Sequence, residues 1–341
     1  MWAIFVWVCR LKPQVYLQGR RESVTMLAVN IFGTPMTQLF ILTRARADLL
    51  LLGIAVIWGT AFVAQNIGMQ SVGPFTFTGA RFLLGALIVL PLAWREWQTL
   101  RAAGVVFDRL DYWSWLGMGG LLFCGASFQQ IGMVTTSVTN ASFFTSLYTA
   151  LVPLFGWLLF RHVPHWSIWP AAAACVMGTF LLGGGEFSLL TKGDLWVILS
   201  ALFWGAHVLL VGQVASRRGA PLIVAVAQFL VCGLLASGCA GYAETVTLAG
   251  LQDGLGSILY AGILSVGVGF TLQVVAQRYT KPADTAILLS AETLFGALTA
   301  ALWLGETMNT VRLCGALLIF SAIMAVQLVP IWIESRASRA A

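Results

Sequence analysis

One acidic residue, Glu292, lies in the middle of a long apolar stretch of the chain. Twenty-one residues separate Asp284 from Glu306, and Glu292 is the only ionisable residue among them. As a helix this stretch crosses a hydrocarbon core of roughly 30 Å, and the carboxylate lies about 12 Å along it, near mid-depth. An acid at that depth is costly and is usually retained for function. We therefore predict that Glu292 lines a cavity and binds a substrate amine or a proton; a protonated, hydrogen-bonded structural acid is the alternative.

Two further ionisable residues lie inside apolar segments. Arg81 lies about 10 Å along the apolar segment 75–94, the second of the chain. Its guanidinium either binds a substrate carboxylate or pairs with Glu292, or it extends to the outer membrane interface. His207 lies in the middle of the sixth apolar segment, three residues after Trp204, and is either a packed neutral imidazole or a proton carrier. Both are candidate substrate-binding or coupling residues.

Aromatic and amide side chains complete the predicted substrate site. Trp58, Trp204 and Tyr148 either line the cavity with their rings or serve as packing and interface residues. Gln130 and Gln273 belong to a set of amides in apolar segments, which either face a wet cavity or form hydrogen bonds between helices. The set also contains Gln65, Asn66, Gln129 and Gln277.

Pro153 interrupts the fourth apolar segment, with Gly156 three residues behind it. A proline lacks the amide hydrogen that a helix needs and clashes with the carbonyl one turn earlier. Irregular backbone at membrane depth is tolerated where it lines a cavity. We therefore predict a helix break at Pro153, beside the cavity.

The composition excludes a soluble globular protein. The 341 residues are 59% hydrophobic and only 9% charged, whereas soluble domains carry about 25% charged residues. The six cysteines show no paired spacing, which indicates neither a disulfide framework nor a metal site. The net charge of +6 is scattered singly between apolar segments, so membrane orientation explains it better than nucleic-acid binding. We expect a polytopic membrane protein with no cofactor.

Ten apolar segments, separated by short polar turns, predict an all-α integral membrane protein with ten transmembrane helices. The predicted spans are 49–69, 75–94, two helices between 112 and 160 divided at 135–140, 166–182, 195–215, 222–242, 255–277, 284–304 and 311–331. With a cytoplasmic N-terminus, the outer loops contain only Lys192 and Arg312 as basic residues. This asymmetry predicts that both termini are cytoplasmic.

The two halves of the chain share landmarks at a spacing near 145 residues, which indicates a duplication. The matched pairs are Trp58-Gly59 with Trp204-Gly205, Pro74 with Pro221, and Phe82 with Phe229. Each copy contains five of the ten predicted spans. Because five is an odd number, the second copy enters the membrane from the opposite side. The pattern predicts two inverted five-helix repeats, an arrangement on which many secondary transporters are built.

These landmarks predict four regions. Residues 1–47 fit the pattern of spans poorly, and we expect a non-essential extension, with a working start at Met36 and a signal peptide as the alternative. The first repeat covers 48–185, the second covers 186–331, and 332–341 form a cytoplasmic tail.

Several short motifs carry a resemblance to a known family. They are Ile57-Trp58-Gly59-Thr60-Ala61-Phe62, Arg81-Phe82, Leu147-Tyr148 with Pro153, Gly193-Asp194-Leu195, Ala291-Glu292 and Gly305-Glu306. Over about residues 48–330 the sequence resembles the EamA family of ten-helix bacterial transporters in the drug/metabolite transporter superfamily. It departs from the family pattern at Thr293, where proline is usual, and at Arg161-His162, where Gly-Glu or Arg-Glu is usual. The resemblance implies export of amino acids or related small metabolites across the bacterial inner membrane.

Other functions compete with this interpretation. The same fold could export drugs or other metabolites, and a non-transporting scaffold is a weaker alternative. An intramembrane enzyme would need a nucleophile with a base or a metal cluster, and His162, His165 and His207 lack the acid spacing of such a site. No Gly-x-x-x-x-Gly-Lys-Ser/Thr nucleotide-binding motif is present. Protons are a candidate coupling ion, and the substrate, the direction of transport and the oligomeric state stay open.

Overall fold

The computed structural model describes residues 42–161, 163–182, 184–185, 191–304 and 309–340, so most of the predicted extension 1–47 lies outside it. The described residues form helices joined by short turns. The helices are α1 (Arg44–Gly68), α2 (Pro74–Ala102), α3 (Arg109–Met133), α4 (Val138–Ser146), α5 (Tyr148–Phe160), α6 (Ile168–Leu182), α7 (Lys192–Val214), α8 (Pro221–Ala243), α9 (Leu248–Asp253), α10 (Leu255–Tyr260), a π-helical segment (Ala261–Phe270), α11 (Thr271–Ala276), α12 (Pro282–Leu289), α13 (Ala291–Leu304) and α14 (Thr310–Ala340).

Each predicted span corresponds to helical structure. In the described part of the chain, seven helices are long and apolar enough to cross a membrane: α1, α2, α4 with α5, α7, α8, α10 with the π segment and α11, and α12 with α13. Two shorter apolar helices, Ile168–Leu182 and Thr310–Val326, correspond to the fifth and tenth predicted spans. The third predicted span corresponds to α3, which is 25 residues long and packs against α7 and α8 inside the bundle. The protein is an all-α integral membrane protein, and its spans are numbered 1 to 10 in chain order.

The packing of the spans shows the inverted duplication. Span 2 packs on span 7, and span 5 packs on span 10. Span 3 packs on span 6, and the equivalent spans 8 and 1 pack on each other. Span 4 also packs on span 6, and the equivalent spans 9 and 1 pack on each other. Exchanging the two halves leaves this list unchanged, so a pseudo-two-fold axis relates them. The axis places the equivalent spans 4 and 9 in contact at the centre.

Polar contacts at the helix ends repeat under this axis. Thr280 Oγ1 donates a hydrogen bond to the Asp48 carboxylate over 3.0 Å, near the start of span 1. Thr136 Oγ1 donates to Asp194 at the start of span 6. The two contacts tie the first span of each half to the loop before the fourth span of the other half. The halves are therefore interlocked at both ends of the bundle.

Two carboxylates cap the paired spans 2 and 7 reciprocally. Glu244, at the end of α8, accepts hydrogen bonds from the backbone amides of Phe75 and Thr76 over 2.8 Å each, and from Thr76 Oγ1 over 2.6 Å. Glu96, near the end of α2, accepts from the amides of Leu222 and Ile223 over 3.0 and 2.9 Å. The first amides of a helix have no partner within it and attract negative charge. Each half thus caps a helix of the other, and the two helices run antiparallel.

A cluster of four charges joins the start of α3 to the loop after α7. Arg217 contacts Asp108 and Asp111 over 2.8 Å each, and Arg218 contacts the same carboxylates over 2.8 and 2.9 Å. Desolvation alone would raise the pKa of the Asp108 carboxyl, but the backbone hydrogen bond from Asp111 and the charges of both arginines together lower it. The cluster joins span 3 to the loop that follows span 6.

The two fourth spans are both broken near mid-depth. In span 9, α12 ends at Leu289 and α13 begins at Ala291. In span 4, α4 ends at Ser146 and α5 begins at Tyr148, with Leu147 as the break. The break predicted at Pro153 is therefore wrong by six residues, because Pro153 lies inside α5. The amide of Leu147 bonds to the Phe144 carbonyl three residues back, a tighter turn that ends α4 before the proline is reached.

Candidate functional site

A small cavity of about 50 Å³ lies at the centre of the bundle, beside both breaks. Its lining comes from spans 1, 2, 3, 4, 6, 8 and 9, and therefore from both halves. The lining residues are Trp58, Ala61, Phe62, Gln65, Arg81, Gln129, Thr145, Tyr148, Trp204, Val208, Ser265, Phe270, Gln273, Leu289 and Glu292. Six of the eight predicted binding or coupling residues are among them.

Glu292 faces this cavity from the first turn of α13. The break at Ser290 is a tight turn of one residue, in which the amide of Thr293 bonds to the Ser290 carbonyl three residues back over 3.1 Å. Tyr148 Oη donates a hydrogen bond to Glu292 Oε1 over 3.4 Å, from the start of α5. The acid is 4% exposed. The broken spans therefore deliver one carboxyl and one phenol to the same point.

Arg81 faces the same cavity from span 2 and is 3% exposed, which rules out extension of its guanidinium to the membrane surface. Its Nη1 donates a 2.6 Å hydrogen bond to Gln65 Oε1, and the guanidinium lies over the rings of Phe77 and Phe82 at 5.6 and 5.1 Å. Among the described residues, no carboxylate lies within 4 Å of it, so the predicted pairing with Glu292 is absent. Arg81 presents a positive charge that a ligand can neutralise.

Three aromatic rings form an apolar side of the cavity. Phe270 lies between Trp58, at a ring distance of 4.5 Å, and Trp204, which stacks on it at 5.8 Å. The indole nitrogen of Trp204 donates to Gln129 Oε1 over 2.8 Å. Trp58 instead donates to the backbone carbonyl of Ser265 over 3.1 Å. The rings supply an apolar surface that interacts favourably with cations.

The carbonyl that Trp58 contacts belongs to the π-helical segment of span 8. π-Helical turns are rare and are found frequently at functional sites. Gly269 permits the close approach, since a Cβ at this position would lie 2.6 Å from Trp58 Nε1. Gly59 has the same role beside the break in span 9, where a Cβ would lie 2.6 Å from the Glu292 carbonyl oxygen. Spans 1, 8 and 9 thus meet closely around the cavity.

Two predicted residues lie outside the cavity lining. His207 is fully buried behind Trp204 and Phe270, and a 2.7 Å hydrogen bond joins its Nε2 to Gln228 Oε1. Gln130 is also fully buried, and neither of its amide atoms has a hydrogen-bond partner among the described residues. His207 therefore supports the aromatic wall from behind rather than facing the cavity.

Several lining residues lacked a specific sequence signal. Gln65 and Gln129 stood out only as amides in apolar segments, and their partners Arg81 and Trp204 could not be foreseen from spacing. Phe270 looks like any apolar residue of a membrane helix. Matching the repeats at an offset of 144 residues would have helped, because it aligns Gln129 with Gln273. The described residues contain no group of three or more His, Cys, Asp or Glu side chains that could hold a metal ion.

Comparisons with known proteins agree with this architecture. The sequence profile of the EamA-like transporter family matches residues 45–184 and again residues 191–328. The chain is 30% identical over 285 residues to an uncharacterized transporter of Archaeoglobus fulgidus, covering 84% of this chain and 87% of that protein. A solved crystal structure of a protein with 19% sequence identity superposes with a TM-score of 0.70, covering 86% of this chain and all of that chain. The duplicated match spans most of the sequence, and the chain therefore belongs to the EamA-like transporter family.

Proposed function

We propose that the protein is a secondary transporter that exports amino acids or related small metabolites by alternating access through the central cavity. The observation that carries the proposal is that an arginine and a glutamate face one buried cavity. Arg81 comes from the first half and Glu292 from the second, and the two are not paired with each other. A zwitterion fits this arrangement, with its ammonium group at Glu292 and its carboxylate at Arg81. The aromatic rings accommodate its apolar part.

The size of the cavity supports alternating access. About 50 Å³ has room for roughly four water molecules at about 10–15 Å³ each, whereas pockets that hold drug-sized ligands are about 300–1,000 Å³. A substrate can bind only when the spans around the cavity separate. The contracted cavity therefore belongs to a transport cycle in which the halves move against each other.

The membrane orientation and the driving ion are part of the same proposal. The excess of basic residues in the predicted inner loops supports cytoplasmic termini in the bacterial inner membrane. Glu292 is the candidate proton carrier, because the remaining intramembrane charge in the cavity is a guanidinium, which does not release its proton. The domain boundaries at 48–185 and 186–331 are proposed with this topology.

One observation favours drug or other metabolite efflux as a second candidate. Phe270 and the two tryptophans make one side of the cavity aromatic, and such a surface also binds lipophilic cations through the ring faces. A lipophilic cation would use Glu292 and the rings and leave Arg81 unused. The role of Arg81 therefore separates the two candidates.

The test is transport by the purified protein in proteoliposomes, against a panel of amino acids, their decarboxylated amines and lipophilic cations. Glu292→Gln should leave the protein folded and abolish net transport, and Glu292→Asp should weaken transport because its carboxylate is drawn back. Wild-type transport should depend on pH, and the Gln variant should lose that dependence. Asp253→Asn is the matched control, since Asp253 is an exposed acid outside the cavity.

Exchange and net transport distinguish the two roles of Glu292. If the carboxyl only carries protons, Glu292→Gln loses net transport but retains counterflow; if it binds the ammonium, both are lost. Arg81→Gln should lower the rate of amino-acid transport more than the rate of amine transport. Wild-type rates from folded Glu292→Gln would remove Glu292 from the mechanism.

A further inference from the structure

The indoles of Trp58 and Trp204 occupy equivalent places in the two halves. Each packs against a glycine of the neighbouring span: Trp58 against Gly269, and Trp204 against Gly125, where a Cβ would lie 3.1 Å from the Trp204 ring. The two glycines are separated by 144 residues, and so are Gln129 and Gln273. Each glutamine follows its glycine by four residues, one helical turn. The pseudo-two-fold axis therefore pairs Trp204–Gln129 with Trp58–Gln273.

The hydrogen bonds do not follow this symmetry. Trp204 donates to Gln129 over 2.8 Å, but Trp58 donates to the Ser265 carbonyl over 3.1 Å. Gln273 is fully buried and lines the cavity, and neither of its amide atoms has a partner among the described residues. The second half therefore has a donor and an acceptor in the equivalent positions, without the bond that joins them in the first half.

The backbone differs between the halves at the same place. Span 8 is π-helical from Ala261 to Phe270, whereas the equivalent part of span 3 lies within the regular helix Arg109–Met133. The indole of Trp58 contacts a carbonyl of the π-helical segment. The exchange of partner and the irregular backbone therefore occur together, in one half only.

We propose that Trp58 and Trp204 form a two-position switch, in which each indole alternates between a glutamine side chain and a backbone carbonyl of its neighbouring span. This inference rests on the alternating access proposed above. In the described state the indole N–H of Trp204 donates to the Gln129 side chain, and the indole N–H of Trp58 donates to the Ser265 carbonyl. In the state that faces the other side of the membrane, Trp58 holds Gln273 and span 8 regains regular helical hydrogen bonds, while Trp204 leaves Gln129 for the carbonyl of Leu121. The number of indole hydrogen bonds is the same in both states, which keeps their free energies close, as a reversible cycle requires.

Site-specific labelling measures the two states without knowledge of the substrate. The reporter is Thr145→Cys in a chain whose six native cysteines are replaced. Thr145 lines the cavity, and its hydroxyl has no hydrogen-bond partner among the described residues, so the change breaks no hydrogen bond there. A membrane-impermeant maleimide added to right-side-out or inside-out vesicles reports how often the cavity faces each side. Gln273→Leu and Gln129→Leu each remove one acceptor of the switch.

The two leucine variants should shift the ratio of labelling from the two sides in opposite directions. Loss of one neutral hydrogen bond predicts a shift of about two- to tenfold in each case. Trp204→Phe, which keeps the ring and removes the N–H, removes one hydrogen bond from each state and should therefore leave the ratio within about twofold of the parent value. In a Trp58→Phe background, Gln273→Leu should have no further effect.

The remaining outcomes contradict the switch or its foundation. Shifts of the same sign in the two leucine variants would overturn the switch. An effect of Gln273→Leu that persists in the Trp58→Phe background would show that Gln273 acts on the substrate or on packing instead, and would overturn it as well. Labelling from one side only, in every variant, would overturn alternating access itself, a failure distinct from that of the switch.

Discussion

Removal of the Glu244 carboxylate should measure how strongly the two halves hold each other. Glu244→Ala removes two hydrogen bonds from backbone amides and one from the Thr76 hydroxyl. Bonds to a charged group contribute about 1.5–3 kcal/mol each, but water can reach these amides because Glu244 is half-buried. Losses of helix caps are about 0.5–2 kcal/mol. We therefore expect the free energy of unfolding to fall by about 2 kcal/mol, and by about 1 kcal/mol for Glu244→Gln, whose carbonyl still accepts one amide.

Glu96 provides an internal comparison. Glu96→Ala removes two amide hydrogen bonds at the other end of span 2, about 30 Å away by helical rise. At that separation the losses of the two alanine variants should add within about 0.5 kcal/mol. The assay is reversible unfolding of the purified protein in mixed micelles, with Asp253→Ala as the control for loss of one exposed negative charge. A Glu244→Ala loss no larger than that of the control would refute the capping argument.

Two further predictions concern packing and charge. Gly59→Ala should cost about 1–3 kcal/mol of stability and slow transport, because its Cβ would press on the Glu292 carbonyl, whereas Gly53→Ala has open space around it and should be neutral; thermal unfolding and transport assays of both variants check this. The lowered pKa of Asp108 means that its contribution to stability is complete above the ordinary Asp pKa of about 3.9 and is lost as the pH falls through the lowered value. Asp108→Asn should weaken the decline in stability at acid pH, and an unchanged decline would contradict the role of the cluster with Arg217.

The spans and the buried acid are predictable from sequence because their signals are local. A run of apolar residues long enough to cross the membrane predicts a helix, and the cost of a lone carboxylate singles out Glu292. The break in span 4 is different: it lies at the tight turn of Leu147, and Pro153 alone gave the wrong place. Phe270 and the π-helical segment depend on contacts with Trp58, far away in the chain. Composition and spacing therefore predict the helices and the buried acid, whereas contacts between distant parts of the chain determine the π-helical segment.

The reciprocal caps have a consequence for the biogenesis of the protein. The amide of Phe75 finds its partner in Glu244, 169 positions later in the chain. At synthesis rates of about 5–20 residues per second, this partner emerges from the ribosome about 10–30 s after the helix it caps. During that interval the first five spans can insert, but the amides at the start of span 2 do not yet have the Glu244 carboxylate as a hydrogen-bond partner. Assembly of the first half is therefore completed only by the arrival of the second, so that a chain truncated before span 7 would leave an open helix end for quality-control proteases to recognise.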